Sequence, residues 1–471
     1  MLMRMGHSSK RGKNKQSRFK SAPGGRAAAQ RARPFFKGRA FALILCHNTL
    51  MLKAIIQKRL EWFVRRYFAA HPEVKLVVVT GSVGKTSTKI ALGTVLSTKF
   101  RVRLHEGNHN SEISAPLAIL GIEFPDSLRN IFAWLAVFRA AKNRIRQPAD
   151  VDVIVQELGT DSIGQIPHFG SYLKPDIAVV TAVSPEHMEF FKTMDAVAAE
   201  ELSVANFSKQ TFVNKDDVDN NYVHNLIKGA VNTYGLSDDS EYYFKETSFS
   251  IEAGFKGNVH GPEWETPIEA TLHVIGEHST RAATVAAAVG TQLGMSAEEI
   301  SKGLMKIHSV NGRMKLLRGM NQSLLIDDTY NSSPLAAEAA LKSLYRLSVP
   351  KRVAVFGTMN ELGELSADAH EKLGTLCDPD QLAHVITIGD DANKYLAPAA
   401  RAKGCHVVSF QNALEVGTYL HKILEPGMAV LLKGSQGGVF LEEAVKIVLH
   451  TTDDEDELVR QSPEWMKIKQ R

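Results

Sequence analysis

The sequence predicts an α/β protein with two lobes: a central P-loop mononucleotide-binding domain with a mostly parallel sheet, then a smaller Rossmann-like α/β domain. Three observations carry that expectation. A β-branched run, Lys75-Leu-Val-Val-Val-Thr80, leads into a glycine turn, the triplet Gly84-Lys85-Thr86 and a helical pattern. Further short apolar runs of buried-strand type recur, separated by helical stretches. After residue 310 this alternation resumes without a second glycine–lysine loop.

Residues 1–40 hold twelve Lys and Arg and no acidic residue, in a background of Gly, Ala, Ser and Gln. Such a tract cannot bury enough apolar surface to order itself, so a disordered basic tail is expected. Its charge suits weak contact with anionic membrane or nucleic acid. Residues 41–72 read as one amphipathic helix. Leu52, Ile56, Leu60, Phe63 and Tyr67 fall on one face, and His71-Pro72 ends it. The helix is expected to pack on the domain that follows, spanning 73–309.

In that domain the glycine loop is followed by the polar stretch 106–116 and an amphipathic segment at 126–147 with a basic end. Strands are expected at 151–156, 175–181 and 211–217. Looser alternation at 235–275 suggests antiparallel strands at the side of the sheet, and 278–289 is alanine-rich and helical. In the second lobe, 310–450, strands are expected at 324–328, 353–356, 385–388, 406–410 and 428–432, with a helix over 335–344. Residues 451–471 read as a charged terminal appendage. There are no internal repeats.

The formal charge is +5, and removing the twelve positive residues of the tail leaves −7 on the rest. The body is therefore mildly acidic. Three scattered cysteines, Cys46, Cys377 and Cys405, suggest neither a disulfide framework nor a cysteine zinc site. No stretch has the length of a membrane span, and no export signal opens the chain. A monomeric cytoplasmic protein is expected.

The chemistry begins at the glycine loop. Backbone N–H groups of Gly81, Ser82, Val83, Gly84 and Ser87 suit phosphate oxygens. Lys85 suits the outer phosphates of ATP, and the Thr86 hydroxyl suits Mg²⁺. The eight-residue phosphate-loop pattern wants its first glycine at Val79, so this is a shorter variant. Glu157 and His187 stand just past strand ends, where ligands gather in open α/β sheets. Glu157 offers Mg²⁺ the hard oxygen it prefers, and His187 is a softer ligand for a second position. Asp327 and Asp328 lie at another strand exit, expected to face the cleft between the lobes. Paired carboxylates there hold an ammonium group or support a metal shell. Glu361, His370 and Lys433 follow turns or strands as well.

Taken together the chain resembles the Mur ligase family. The resemblance rests on Thr80-Gly-Ser-Val-Gly-Lys-Thr-Ser-Thr88, Asn108-His-Asn-Ser-Glu-Ile113, Glu157-Leu-Gly159, Ser184-Pro-Glu-His-Met-Glu189, Asn214-Lys-Asp-Asp217, Gly276-Glu-His278 and Asn311-Gly-Arg313. It continues through Asp327-Asp-Thr-Tyr-Asn-Ser-Ser-Pro334, Gly357 to Ser366, His370 and Lys433-Gly-Ser435, in the family's order over 73–450. The Asp327 stretch favours the branch that adds D-alanyl-D-alanine to a UDP-N-acetylmuramoyl peptide. The resemblance implies an ATP- and Mg²⁺-dependent amide ligase of peptidoglycan precursor synthesis. ATP phosphorylates a carboxylate of a peptide acceptor, and an amino substrate then displaces phosphate. It implies that Lys85 holds the transferring phosphate, that Thr86 and Glu157 bind one Mg²⁺, and that His187 binds a second. Arg313 and Asp328 become nucleotide contacts, and His278 lies on the adenine side. Asn108, Asn110, Asn331, His370 and Lys433 fall to substrate binding.

Three departures accompany the resemblance. Family members normally open with a domain that grips the UDP-sugar, and residues 1–72 offer a basic tail and one helix instead. The family's carbamylated lysine falls, by counting from His187, at Glu201, which supplies a carboxylate without CO₂ and would act as a metal ligand. Ser279 and Arg281 replace asparagines after His278, and Gln436 replaces an arginine after Lys433-Gly-Ser. Two other functions fit the same residues: a related ligase with a different acceptor or amino substrate, and a non-catalytic ATP-binding scaffold whose tail contacts nucleic acid or membrane.

Overall fold

The computed structural model describes residues 37–469 except 106, 108 and 126–129, with side chains from residue 51 onward. The expected tail before residue 37 lies outside the described residues. The chain divides into a unit of residues 1–52 and one of 53–471. The helix Lys37–Ala70 begins in the first and ends in the second. Among the described residues no helix is long and apolar enough to cross a membrane.

The first lobe is built on β1 (Lys75–Thr80), β2 (Val102–Leu104), β3 (Val153–Glu157), β4 (Ile177–Val180), β5 (Gln210–Asn214), β6 (Asn232–Gly235), β7 (Tyr242–Ser250), β8 (Gly254–His260) and β9 (Ile268–Leu272). They form one sheet in the order β2-β3-β1-β4-β5-β6-β7-β8-β9. Pairing is parallel from β2 to β7, while β8 runs antiparallel to both β7 and β9. The antiparallel strands expected at 235–275 are thus the sheet's side extension.

The central strands are buried on both faces, which is why they read as continuous apolar runs. Their side chains still alternate. Val77, Val79, Val153, Val155, Ile177 and Val179 enter one core, packed with the helices Lys85–Leu96 and His278–Gln292. Leu76, Val78, Ile154, Ala178 and Val180 enter the other. Phe63, Val64 and Tyr67 of the first helix join that second core, and Phe63 stacks on Phe138 with ring centroids 5.9 Å apart. From residue 53 onward the helix therefore packs on the domain that follows, through Phe63 and Tyr67 of its apolar stripe and through Val64.

The second lobe holds β10 (Lys315–Arg318), β11 (Leu324–Asp328), β12 (Arg352–Gly357), β13 (His384–Ile388), β14 (Val407–Phe410) and β15 (Ala429–Lys433), in the order β10-β11-β15-β12-β13-β14. All pairs are parallel except β10 with β11. Side chains such as Ala354 and Phe356 face one core, Val353 and Val355 the other. Residues 451–469 are no free appendage: Leu458 is buried in the second of these cores.

The lobes meet through packing and charge. Phe249, Ile251 and Ile275 of the first lobe pack on the second lobe's core. Arg346 makes a two-pronged contact with Glu246 and a 3.0 Å contact with Glu277. Replacing Phe63 by Ala is expected to cost about 3–5 kcal/mol of unfolding free energy in a urea titration. A cost below about 1 kcal/mol would show that the helix only rests on the lobe.

Candidate active site

The functional candidates collect at the carboxyl ends of parallel strands. In the first lobe these ends present Thr80, Glu157 and Asn214. In the second, Asp328 of β11 pairs in register with Lys433 of β15. Two adjoining clefts lie between the two edges, of about 200 and 240 Å³. Val83, Gly84, Arg313 and Ala336 line both, so the glycine loop stands between them.

The loop's shape needs its glycines. Gly81 has φ +123°, and a Cβ there would strike the Thr181 hydroxyl and the backbone of Thr181 and Ala182. Gly84, φ 89°, starts the helix Lys85–Leu96 with no side-chain cap, so the helix's positive end faces the first cleft. The loop is tied down from the neighbouring strand exit. Ser82 N donates to Ala182 O at 2.9 Å, Ser184 N to Ser82 Oγ at 3.1 Å, and Thr181 Oγ1 to Val83 O at 2.6 Å.

Charge is concentrated beneath and beside this loop. Lys85 Nζ donates to Gly81 O and lies 3.4 Å from Glu186. Burial pulls its pKa down, but Glu186, Glu201 and Glu157 together outweigh that and hold the ammonium above its ordinary value. Glu157 accepts from Thr86 Oγ1 at 3.1 Å and from Asn110 Nδ2 at 3.2 Å, with Lys89 Nζ 3.6 Å away. Asn110 is wedged against Gly159, where a Cβ would lie 2.6 Å from its amide nitrogen. The Thr86 hydroxyl and the Glu157 carboxylate are both hard oxygen donors on the wall of the first cleft, a donor pair that fits Mg²⁺.

The other two expected metal ligands, Glu201 and His187, differ in placement. Glu201 is buried below the loop, accepting from Thr80 Oγ1 and, at 2.8 Å, from Gly81 N. It lines neither cleft, so the structure does not bring it into the set formed by Thr86 and Glu157. Burial pushes its pKa up to about 7, against the opposing pull of Lys85. His187 lines the first cleft, but its Nδ1 lies 2.6 Å from Glu361 of the second lobe, and its Nε2 3.6 Å from both Asp161 and Glu186. Among the described residues no three His, Cys, Asp or Glu side chains are grouped to hold a metal ion.

The second cleft is of similar size, and its wall mixes apolar, aromatic and charged side chains. Tyr234, His278, Arg281 and Ala282 line it from the first lobe, Leu335, Asp328 and Lys433 from the second, with Ser87 of the loop's helix at its edge. His278 Nδ1 is buried without a hydrogen-bond partner, and burial lowers the ring's pKa to about 4. A neutral imidazole with an open nitrogen suits a polar edge of a ligand. Arg281 is held by Asp216 at 2.7 Å and Asp217 at 2.8 Å. Lys433 Nζ lies 2.8 Å from Asp328 and donates to Asn331 O at 2.9 Å. Burial lowers its pKa, opposed by Asp328. The ammonium expected opposite the paired carboxylates is thus the chain's own Lys433. Asp327 does not face the cleft: it is fully buried, accepting from Gly312 N at 3.1 Å and from the Thr329 hydroxyl at 2.6 Å.

Of the expected substrate contacts, Asn110 and Asn331 line the first cleft. Asn108 lies outside the described residues. His370 is fully buried, its Nε2 accepting from Met359 N at 2.9 Å and its Nδ1 directed at Ser366 O at 2.7 Å, so it shapes the turn 359–362 from inside. Sequence reasoning missed Glu186, Lys89 and Tyr330. Glu186 sits beside His187 in the Ser184–Glu189 stretch, and Lys89 falls one helical turn after Lys85, so both had a local signal.

The family model described as the Mur ligase middle domain matches residues 79–290, and the one described as the Mur ligase glutamate ligase domain matches 312–436. The UDP-N-acetylmuramoyl-tripeptide–D-alanyl-D-alanine ligase of Bacillus subtilis is 27% identical over 385 residues, covering 80% of this chain and 76% of that one. The chain's fold is similar to MurF from Acinetobacter baumannii, with TM-score 0.67, 23% identity and 82% and 79% of the two chains covered. It is similar also to the MurF ligase of Thermotoga maritima solved with ADP, with TM-score 0.67, 22% identity and coverage of 86% and 85%.

The buried Glu201 makes stability depend on pH. With a folded pKa of about 7 against 4.5 unfolded, the folded chain binds the extra proton between those values. This stabilising contribution is present at low pH and is lost as pH rises from 4.5 to 7. The loss is on the order of 3 kcal/mol. Urea unfolding of Glu201→Gln is expected to show a flatter pH dependence than the unaltered chain over that window; identical slopes would contradict the assignment.

Proposed function

The chain belongs to the Mur ligase family, and from that premise we propose that it is an ATP-dependent carboxylate–amine ligase. It joins a carboxylate of a UDP-N-acetylmuramoyl-peptide-like acceptor to the amine of D-alanyl-D-alanine. The observation that carries this reading is the pair of clefts meeting at the glycine loop, each lined from both lobes. A purely ATP-binding scaffold needs the loop but not a second lobe aimed at it.

In this reading the Gly81–Ser87 segment cradles the phosphates of ATP. Lys85 carries positive charge to the outer phosphate, the group that is transferred to the acceptor carboxylate with ADP leaving. His278 and Arg281 stand beside the base, and Arg313, lining both clefts, bridges base and phosphate sides. Thr86 and Glu157 would hold Mg²⁺, which supplies further neutralisation of phosphate charge. His187 is assigned to the same phosphate edge from the far side. Glu201 supports the loop backbone from below rather than meeting solvent. Asn110 is assigned to substrate and Asn331 to the incoming amino substrate, both on the first cleft, with Asp328 and Lys433 fixing the strand exits behind them. A carboxylate oxygen leaves poorly and a phosphate well, so activation must precede amine attack. Lobe walls on both sides exclude the water that would intercept the activated acid.

The test is mass analysis of products after incubation with ATP, Mg²⁺, a UDP-linked muramoyl peptide and D-alanyl-D-alanine. One new amide requiring all four is expected. An amide formed only with another acceptor or amine would redirect the substrate assignment, and no nucleotide-dependent amide with any of them would remove the ligase reading. Lys85→Ala is expected to slow turnover about 100-fold or more. Glu157→Gln is expected to raise the Mg²⁺ concentration needed for half-maximal rate.

A further inference from the structure

The segment beyond the second lobe's last strand turns back to the cleft. The match to the family ends at residue 436. Residues 457–469 lie past it, and they are tightly built in. Glu457 lies 3.0 Å from Lys315, and Lys469 Nζ reaches Glu442 at 2.8 Å. Between them Arg460 is 8% exposed and Glu442 wholly buried. Arg460 forms a two-pronged pair with Glu442, Nε to Oε1 at 2.9 Å and Nη2 to Oε2 at 2.6 Å. The same guanidinium donates to two carbonyls of the cleft loop, Thr329 O at 2.6 Å and Tyr330 O at 2.9 Å. Its backbone is left-handed, φ 57°, a conformation that a long side chain adopts only when its surroundings impose it.

The loop so gripped carries the ring on which Arg313 rests. The Arg313 guanidinium lies 4.3 Å from the Tyr330 ring centre, and that of Arg460 5.9 Å from it. Gly312 is pressed into the same knot: a Cβ there would lie 2.7 Å from Val459 and 3.1 Å from Tyr330. Arg313 lines both clefts, so whatever fixes Tyr330 fixes the one cation shared by them among these contacts.

We propose that Arg460 is a positioning residue, holding the carbonyls of Thr329 and Tyr330 so that the Tyr330 ring presents Arg313 to the bound nucleotide. What Arg313 meets rests on the ligase reading above. The planar fork is essential, because one guanidinium serves a carboxylate and two carbonyls at once. A lysine keeps the charge opposite Glu442 but has no such fork.

The test is ADP binding to the full-length chain by titration calorimetry, in a double-mutant cycle. Arg460→Lys is expected to weaken ADP binding about tenfold, and Arg313→Ala by at least as much. Because Arg460 acts through Arg313, Arg460→Lys in the Arg313→Ala background should add almost nothing. A merely structural role would weaken binding by the same factor in both backgrounds, and that result, or unchanged binding in Arg460→Lys, overturns the proposal. Should Arg460→Lys fail to fold, Tyr330→Leu leaves the Arg460–Glu442 ion pair in place, removes the ring on which Arg313 rests, and must show the same non-additivity with Arg313→Ala. Turnover is measured separately. Absent amide formation with the cycle intact would remove the ligase reading alone, whereas amide formation with an additive cycle would remove this proposal alone.

Discussion

Everything at the site depends on how one half-buried ammonium is balanced. Lys85 sits among Glu157, Glu186 and Glu201, and without it three carboxylates would share a poorly solvated space. The arrangement is graded by depth. Glu201 is buried beneath the loop and its carboxyl titrates near neutrality. Glu157 is buried at the cleft wall with Lys89 and Asn110 for company. Glu186 lies nearer the opening, beside Lys85 and His187. A lysine so surrounded keeps its charge despite burial, which is the state an outer phosphate requires. The acids therefore oppose the desolvation that works against the cation's charge.

The second lobe repeats this logic with the roles exchanged. Asp328 and Lys433 neutralise each other across neighbouring strands, and Asp327 turns inward to hold Gly312 and Thr329. Directed at the first cleft from this side are Arg313, Tyr330, Gln436 and the polar run Asn331, Ser332 and Ser333. One lobe thus offers a loop of backbone donors with a lysine, and the other offers a guanidinium. A polyanion between them meets donors from both directions, and drawing the lobes together would be favoured by the charge it carries.

The sequence disclosed the parts of this arrangement that obey local rules. The parallel strands announced themselves as β-branched runs because both their faces are buried. Glu157, Asp328 and Lys433 could be placed at strand exits because a polar residue ends each run. β2, β6 and β10 were not legible: they are short, and none is fully buried, so no apolar run marks them. Glu201 came into view only through the family resemblance, and its direction, toward the loop backbone instead of the cleft, depends on the fold of the helix Met194–Leu202. His370 reads as a site residue because it follows a turn and through the family resemblance, yet it is an interior brace for a turn. Arg460 left no local trace, since its partners lie 18 and about 130 positions away. Long-range ion networks of this kind are set by tertiary packing and have no periodicity to read.

The remaining interaction couples the two balances. His187 and Glu361 both occupy left-handed backbone conformations, with φ 50° and 65°, and meet at 2.6 Å across the lobes. Neither residue adopts that conformation cheaply, so the turns that carry them must be held by other contacts. For Glu361 the holding group is His370, whose ring supports the turn at Met359, with Ser435 Oγ accepting from Asn360 N at 3.0 Å. For His187 it is the loop tie from Ser184 to Ser82. The contact between lobes is therefore made by two turns, each tied by hydrogen bonds to its own lobe's cleft edge. Any change in the separation of those edges is felt directly at this pair, which makes lobe position and site charge parts of one mechanical unit.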